Sequence, residues 1–206
     1  MYTPRAFVDT NLAQLDALVA GDPLVTLMTV ADDGIPQVTH LPVLYHRDGD
    51  KVLVEGHWAR PNPQARHDGA ALVIVHGPHA YVSPAWYPDK EEQARVPTWN
   101  YVVAHLHGVL ERYEDEASLA DLVMRMSDRF ENAIGSDWTF EPGREDHRVQ
   151  LCGITGFRFA PRRIEIKSKL SQNHPEANRR AVADALHAQD DSRAKAIAAL
   201  MRARET

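Results

Sequence analysis

Two short stretches carry the side chains best suited to chemistry. EGHWARPNPQ, residues 55–64, sets His57, Trp58 and Arg60 at the end of an apolar, strand-like run and just before two prolines. An arginine fork beside a helix start suits an oxyanion such as phosphate, because the first helical turn has unpaired backbone N–H groups and a partial positive charge. Asn62 and Gln64 add neutral donors. IEIKSKLSQNHP, residues 164–175, puts Lys169, Gln172 and Asn173 just past a second strand-like run. A cation with two amides suits a phosphate, or the edge of a ring that carries carbonyls and N–H groups. Each stretch also has a plainer reading. The first can be a proline-bent loop with a solvated arginine, the second a strand-end loop leading into a helix with Pro175 in its first turn.

Three further stretches carry weaker signals. THLPVLYH (39–46) reads as a strand with Pro42 inside it, which points to an edge, a bulge or a place where a ligand meets backbone. GPHAYVSPAWY and VPTWNYVVAHLHG concentrate Tyr81, Trp86, Tyr87, Trp99 and Tyr101, rings that can wall a pocket for a flat heterocycle or fill a core or interface. His105 and His107 alternate on one strand and so share a face, but no third ligand is evident and no metal is expected. No GxGxxG or GxxxxGK[ST] occurs, which lowers the case for a Rossmann nucleotide site or an ATPase. Ser83 lies in SPAW, outside any GxSxG elbow, and no catalytic residue is named; His40 and His57 are candidates by location alone.

The elements that must position these residues read as mainly β with peripheral helices. Residues 10–20 have helical spacing at Leu12, Leu15, Leu18 and Val19, with Thr10 or Asn11 as cap. Residues 23–46 read as two strands joined at Asp33-Gly34, and a turn at 46–50 leads into KVLVEG, giving an antiparallel meander. A short helix is expected over 61–68, and a strand buried on both faces over 70–77. A charged, mobile loop is expected over 88–97, followed by a long strand from Thr98. A helix is expected over 115–131, irregular chain over 132–148, a strand or bent pair from Cys152 to Lys167, and two alanine-rich helical segments at the end. About six strands with hairpin turns and few helices predict a closed or half-closed antiparallel barrel of the α+β class. A parallel sheet would need a helix after nearly every strand.

Composition narrows the classes. The 206 residues hold 44% hydrophobic and 25% charged side chains, enough for a packed core without staples. A formal charge of −6 argues against a mainly electrostatic grip on nucleic acid. A single cysteine, Cys152, excludes an intrachain disulfide and fits a reducing compartment. With no apolar leader and no run long enough to span a membrane, a soluble, cytoplasmic protein is expected.

MYTPRAF, THLP, GHWARPNPQ, GPHAYVSPAWY, VPTWNY and KLSQN, in this order, closely resemble the PaiB-type FMN-binding negative transcriptional regulators. The likeness covers nearly the whole chain up to the late helices. It implies an antiparallel split β-barrel of the FMN-binding type, similar to pyridoxamine phosphate oxidases, over residues 1–174, with a C-terminal helical appendage over 175–206. It implies a homodimer with FMN at the subunit interface. In such barrels the strand-to-helix arginine meets the flavin phosphate; Arg60 and Asn62 hold that place, with His57, Trp58 and Ala59 alongside. The resemblance runs the THLPV strand past the flavin ring, offering backbone groups of His40, Leu41 and Val43, and brings Lys169, Gln172 and Asn173 to the cofactor. His174 stands where the family pattern has Arg, which implies weaker FMN binding at neutral pH. A flavin-dependent oxidoreductase, a DNA-associated repressor with a vestigial flavin site and a purely structural dimer remain open. No basic recognition helix is evident, so direct DNA binding does not follow from the family name.

Overall fold

The computed structural model describes residues 1–204. Eight strands form one sheet in the order β3-β2-β6-β7-β8-β5-β4, with β1 paired to β8. The strands are β1 (Val8–Asp9), β2 (Leu24–Val30), β3 (Pro36–Pro42), β4 (Leu44–Asp48), β5 (Lys51–Ala59), β6 (Gly69–Val82), β7 (Thr98–Tyr113) and β8 (Ile154–Lys169). Every pairing with a defined register is antiparallel. β3 and β4 are the two ends of the order, so the sheet is not closed. The helices are α1 (Leu12–Gly21), α2 (Glu116–Ile134), α3 (Glu145–Arg148), α4 (Glu176–His187) and α5 (Ser192–Arg202). The α+β class and the antiparallel barrel-type sheet expected from the hairpin signals are what the chain adopts.

The chain divides into two compact units. The first comprises residues 1–15, 76–104 and 165 onward, and the second residues 16–75 and 105–164. The long strands β6, β7 and β8 pass from one unit into the other along the chain, whereas β2, β3, β4 and β5 belong wholly to the second. In the first unit α4 and α5 bury Val182, Leu186, Ile197 and Met201. In the second, the sheet buries Val25, Leu27, Val54, Trp58, Val73, Leu106, Phe157 and Phe159, while α2 covers Leu119 and Leu122.

Local chemistry explains most boundaries. Asn11 Oδ1 accepts from Ala13 N at 3.0 Å at the start of α1. Asp115 Oδ1 accepts from Ser118 N at 2.9 Å at the start of α2, and Gly135 closes that helix in the left-handed conformation at φ 72°. Gly34 and Gly49, at φ 81° and 59°, turn the two hairpins where residues with a Cβ would be strained.

Four expectations need correction. THLPVLYH is not one strand: the chain breaks after Pro42, and β4 pairs with β5 at the far end of the order from β3. Proline has no N–H for the ladder, and Val43 N instead donates to Pro23 O at 3.1 Å. The expected meander therefore gives way to a split order, and the strand count is eight. The helix over 61–68 is a 3-10 turn of four residues, Pro63–Arg66. The strand over 70–77 extends through Pro78 to Val82 and is half-buried, with Val73 and Val75 inward.

Candidate functional site

The Arg60 stretch takes its shape from a buried amide. On β5 alternate residues Val52, Val54, Gly56 and Trp58 face the core. A Cβ on Gly56 would stand 2.8 Å from the Phe157 ring and 3.2 Å from Pro42 O, so only glycine lets the end of β3 lie this close to β5. Trp58 packs on Phe157 with ring centroids 4.7 Å apart and donates from Nε1 to Gln64 Oε1 at 3.1 Å. Gln64 Nε2 in turn donates to Leu27 O, Thr29 Oγ1 and Gln37 O at 3.0–3.3 Å. Gln64 is therefore a brace for the turn, not a ligand donor. Asn62 is similarly occupied: its Oδ1 accepts from Gln64 N at 2.9 Å and its Nδ2 donates to Thr39 Oγ1 at 3.0 Å. The single 3-10 turn, with its first N–H already capped, offers no helix-start anion site; that part of the phosphate argument is overturned, and Arg60 alone carries it.

Arg60 is exposed, and its guanidinium donates from Nη2 to Ile154 O at 3.3 Å. It lines a cavity of about 410 Å3 with Arg148, Glu114, Glu116 and Glu145. Arg148 is paired with Glu145 and, at 3.8 Å, with Glu116, while Glu114 is paired with Arg112 at 3.3 Å. Three carboxylates thus share the cavity lining with the guanidinium, each paired with another arginine. His57, on the opposite side of β5 from Trp58, is half-buried; its Nδ1 is buried with no hydrogen-bond partner among the described residues, and burial lowers its pKa, so the ring is neutral at pH 7.

β3 is an end strand, so alternate backbone N–H and C=O groups have no ladder partner. Leu41 and Val43 send their side chains into the core, leaving backbone groups as their contribution to any ligand. His40 is exposed and its Nδ1 lies 3.0 Å from Thr26 Oγ1. Around it, one face of the β2–β3 ribbon carries the cross-strand pairs Leu24–Pro42, Thr26–His40, Met28–Val38 and Val30–Pro36. Leu24, Val30 and Val38 are each about half exposed there, at 50%, 52% and 53%.

The Lys169 stretch lies in the first unit. Lys169 Nζ donates to Thr98 Oγ1 and to Trp99 O, the latter at 2.6 Å. Burial, then the charge of Lys167, lowers its pKa. Ser171, buried at φ 63°, bonds Asn100 through its hydroxyl at 3.0 Å. Gln172 spends its side chain on the turn, accepting from Leu170 N at 2.7 Å and donating to Ser168 O at 2.5 Å. Lys169, Asn173 and His174 line a cavity of about 320 Å3 with Tyr87, Arg95, Thr98 and Asn100. Of the sequence-predicted late residues, Lys169 and Asn173 face open space and Gln172 does not. The loop over 88–97 is held in place: Asp89 accepts from Arg95 at 2.5 Å and from Asn178 at 2.8 Å, and the Arg95 bond lowers the Asp89 pKa to about 2. Arg95, Thr98 and Asn100 escaped the sequence reading; the VPTWN motif was the available signal for the last two.

The aromatic residues do not form one wall. Tyr87 is buried in the Lys169 cavity and stacks on His174 at 4.9 Å, whereas Tyr81, Trp86 and Trp99 line a separate cleft of about 310 Å3 with His79 and Arg193. On the late helices Arg180 pairs with Glu176, Arg202 with Asp184 at 2.8 Å, Arg193 with Asp191 at 3.6 Å and Lys195 with Asp190 at 3.7 Å. These helices present alternating charge instead of a basic face. Among the described residues, no helix is long and apolar enough to cross a membrane.

In the second unit the donor set fits a ligand with acceptor atoms and an anionic end: an open strand edge, an exposed guanidinium and the His57 Nδ1 that has no partner among the described residues. Comparison with known proteins agrees. The model of the family described as "Putative FMN-binding domain" matches residues 1–163. The protein called protease synthase and sporulation protein PAI 2, from Bacillus subtilis (strain 168), is 33% identical over 207 residues, covering 98% of this chain and 96% of that one. The FAD and heme binding protein from Mycobacterium smegmatis is similar in fold at a TM-score of 0.54, with 20% identity over 79% of this chain and 73% of that one. The flavocytochrome Anf3 from Azotobacter vinelandii gives a TM-score of 0.53, with 16% identity over 81% of this chain and 72% of that one. With a family match over most of its length and a relative aligned almost end to end, the chain belongs to the PaiB-type FMN-binding family that its motifs point to, and FMN is its cofactor.

Proposed function

We propose that the protein is a flavin-binding regulator of the negative-regulator type that holds FMN between two copies of the chain. One observation carries the reading: the uncovered apolar face of β2 and β3, with His40 set among Leu24, Val30, Pro36, Val38 and Pro42. Soluble monomers rarely leave such a contiguous apolar patch in water. A second copy laid on this face would exclude water from it and create a dry cleft beside the open edge of β3. The flavin ring would lie in that cleft against backbone groups of His40, Leu41 and Val43. Arg60 would stand at the phosphate end, with Asn62 bracing the turn through Thr39 and Gln64 and with His57, Trp58 and Ala59 alongside. By family resemblance Lys169, Gln172 and Asn173 are cofactor residues as well, Gln172 through the turn it braces. FMN, when bound, supplies redox chemistry and visible absorbance; the chain binds it, orients it and keeps water away. The paired cations of α4 and α5 favour regulation through flavin state or a partner protein over a basic recognition helix.

The test is an absorbance spectrum of the native protein together with its sedimentation. A yellow dimer that releases FMN on denaturation is expected, and Val38→Glu should give a monomer that binds FMN at least tenfold more weakly, about 1.4 kcal/mol. A colourless protein that does not quench added FMN, or a Val38→Glu monomer with unchanged affinity, rejects the interface reading.

A further inference from the structure

The cavity of about 320 Å3 in the first unit holds donors that the chain itself does not use. An ammonium has three N–H groups. Lys169 gives two of them to Thr98 Oγ1 and Trp99 O, both neutral, and keeps one. His174 Nδ1 is buried with no hydrogen-bond partner among the described residues, and stacking on Tyr87 at 4.9 Å holds the ring. Tyr87 Oη is buried and unpartnered too, the nearby Ser171 Oγ being held by Asn100 at 3.0 Å. Leaving a buried polar group unpaired costs about 1–3 kcal/mol, so two such groups on residues that line one cavity point to a partner the free chain lacks. Among the described residues lining it none is Asp or Glu, and the neighbouring Asp89 is spent on Arg95 and Asn178.

We infer that this cavity is an oxyanion site, in which a phosphate or carboxylate group is held by Lys169 Nζ and by the ring of His174. The inference shares Lys169 with the flavin reading but does not depend on where the flavin ring lies. The volume is near the lower end of small-molecule sites, so the occupant is a small acid or the anionic end of a larger molecule. Binding is coupled to a proton. His174 faces Tyr87, Arg95, Asp89 and Lys169; burial lowers its pKa, the charges of Arg95 and Lys169 act in the same direction and Asp89 opposes them. The ring is therefore neutral in the free protein at neutral pH. An anion beside it reverses the balance, the ring takes up a proton, and affinity rises as pH falls.

The full chain freed of flavin, with labelled histidine, decides the matter by NMR. The His174 signals are identified by their loss in His174→Gln and followed through titration with inorganic sulfate, then acetate. Sulfate should move the His174 signals and bind roughly tenfold more tightly at about pH 6 than at about pH 8. Lys169→Gln should abolish the shift, and His174→Gln should abolish the pH dependence while keeping weak binding. If FMN displaces sulfate and riboflavin does not, the oxyanion is the flavin's phosphate; if neither displaces it, the ligand is a free acid, and both results support the site. His174 signals unmoved by sulfate, acetate and FMN at both pH values overturn it, as does an undiminished shift in Lys169→Gln. Should that variant fail to fold, pH dependence persisting in His174→Gln overturns it instead. An intact sulfate site in a protein that never binds flavin would strike the flavin reading alone.

Discussion

The cavities beside Arg60 and Lys169 are alike in size, about 410 and 320 Å3, and opposite in charge. The lining beside Arg60 holds two guanidiniums and three carboxylates, Glu114, Glu116 and Glu145, a formal balance of −1 that Arg112 offsets by pairing Glu114. Around Lys169 the lining holds Lys169 and Arg95 with no carboxylate, a formal balance of +2 that Asp89 reduces by pairing Arg95. Both cations stand at a strand end in a motif with nearby amides, Arg60 just after β5 and Lys169 as the last residue of β8. What differs is which distant elements arrive beside them. The chain just after β7, the start of α2 and the short α3 bring acids to the Arg60 cavity, whereas the segment before β7, the first residues of β7 and the chain after β8 bring hydroxyls, amides and rings to Lys169. An anion is favoured by the summed field at a point, not by the residue that names a motif.

This contrast can be broken at several points. The largest effect is expected from Gln64→Ala, which removes the brace of the Arg60 turn. It strands the Trp58 indole N–H, and it opens space in a buried site. A loss of about 3 kcal/mol in urea unfolding is expected, with weaker FMN binding as the turn loosens. Unchanged unfolding would mean that water replaces the amide and that the turn is not held as described.

A smaller effect tests the charge argument itself. Glu116→Gln with Glu145→Gln turns the Arg60 cavity from a balance of −1 to +1. If the flavin phosphate meets Arg60, FMN affinity should rise about three- to tenfold at low salt, by fluorescence quenching, and the gain should shrink as salt is added. No change, or weaker binding, would place the phosphate elsewhere, and the Lys169 cavity would be the first alternative to examine.

The smallest effect concerns pH. His57 and His174 both have pKa values lowered from 6.5 by burial. The unfolded chain then holds more protons than the folded chain between the folded and unfolded values. Their contribution to stability is present above about pH 6.5 and is lost as pH falls below it. Urea midpoints should decline between about pH 7 and about pH 5, and His57→Asn with His174→Asn should flatten that decline. Added sulfate should flatten it as well, through His174 only. A midpoint constant over that range would show that neither ring is held neutral.

Much was legible in the chain because it depends on neighbours in sequence. Asp33-Gly34 and Gly49 turn because only certain residues take positive φ cheaply. The face of α2 follows from the spacing of Leu119, Leu122 and Met126, and Asp115 caps it through its own side chain. Six ordered motifs were enough to place the chain in its family and to give the cofactor. The sequence pattern also carried the α+β class, since hairpin signals without intervening helices exclude a parallel sheet.

Other features were settled only when remote segments met. Pro42 announced an irregularity, but the jump of β4 to the far end of the sheet depends on β5 finding β8 as a partner. Gln64 reads as a free donor until Leu27, Thr29, Gln37 and Trp58 close around its amide. Arg60 reads as a phosphate clamp until three glutamates from other elements enter the lining of its cavity. The reason is the same in each case: backbone preference acts over a few residues, while hydrogen-bond satisfaction and electrostatic field are set by whatever lies within several ångströms in space.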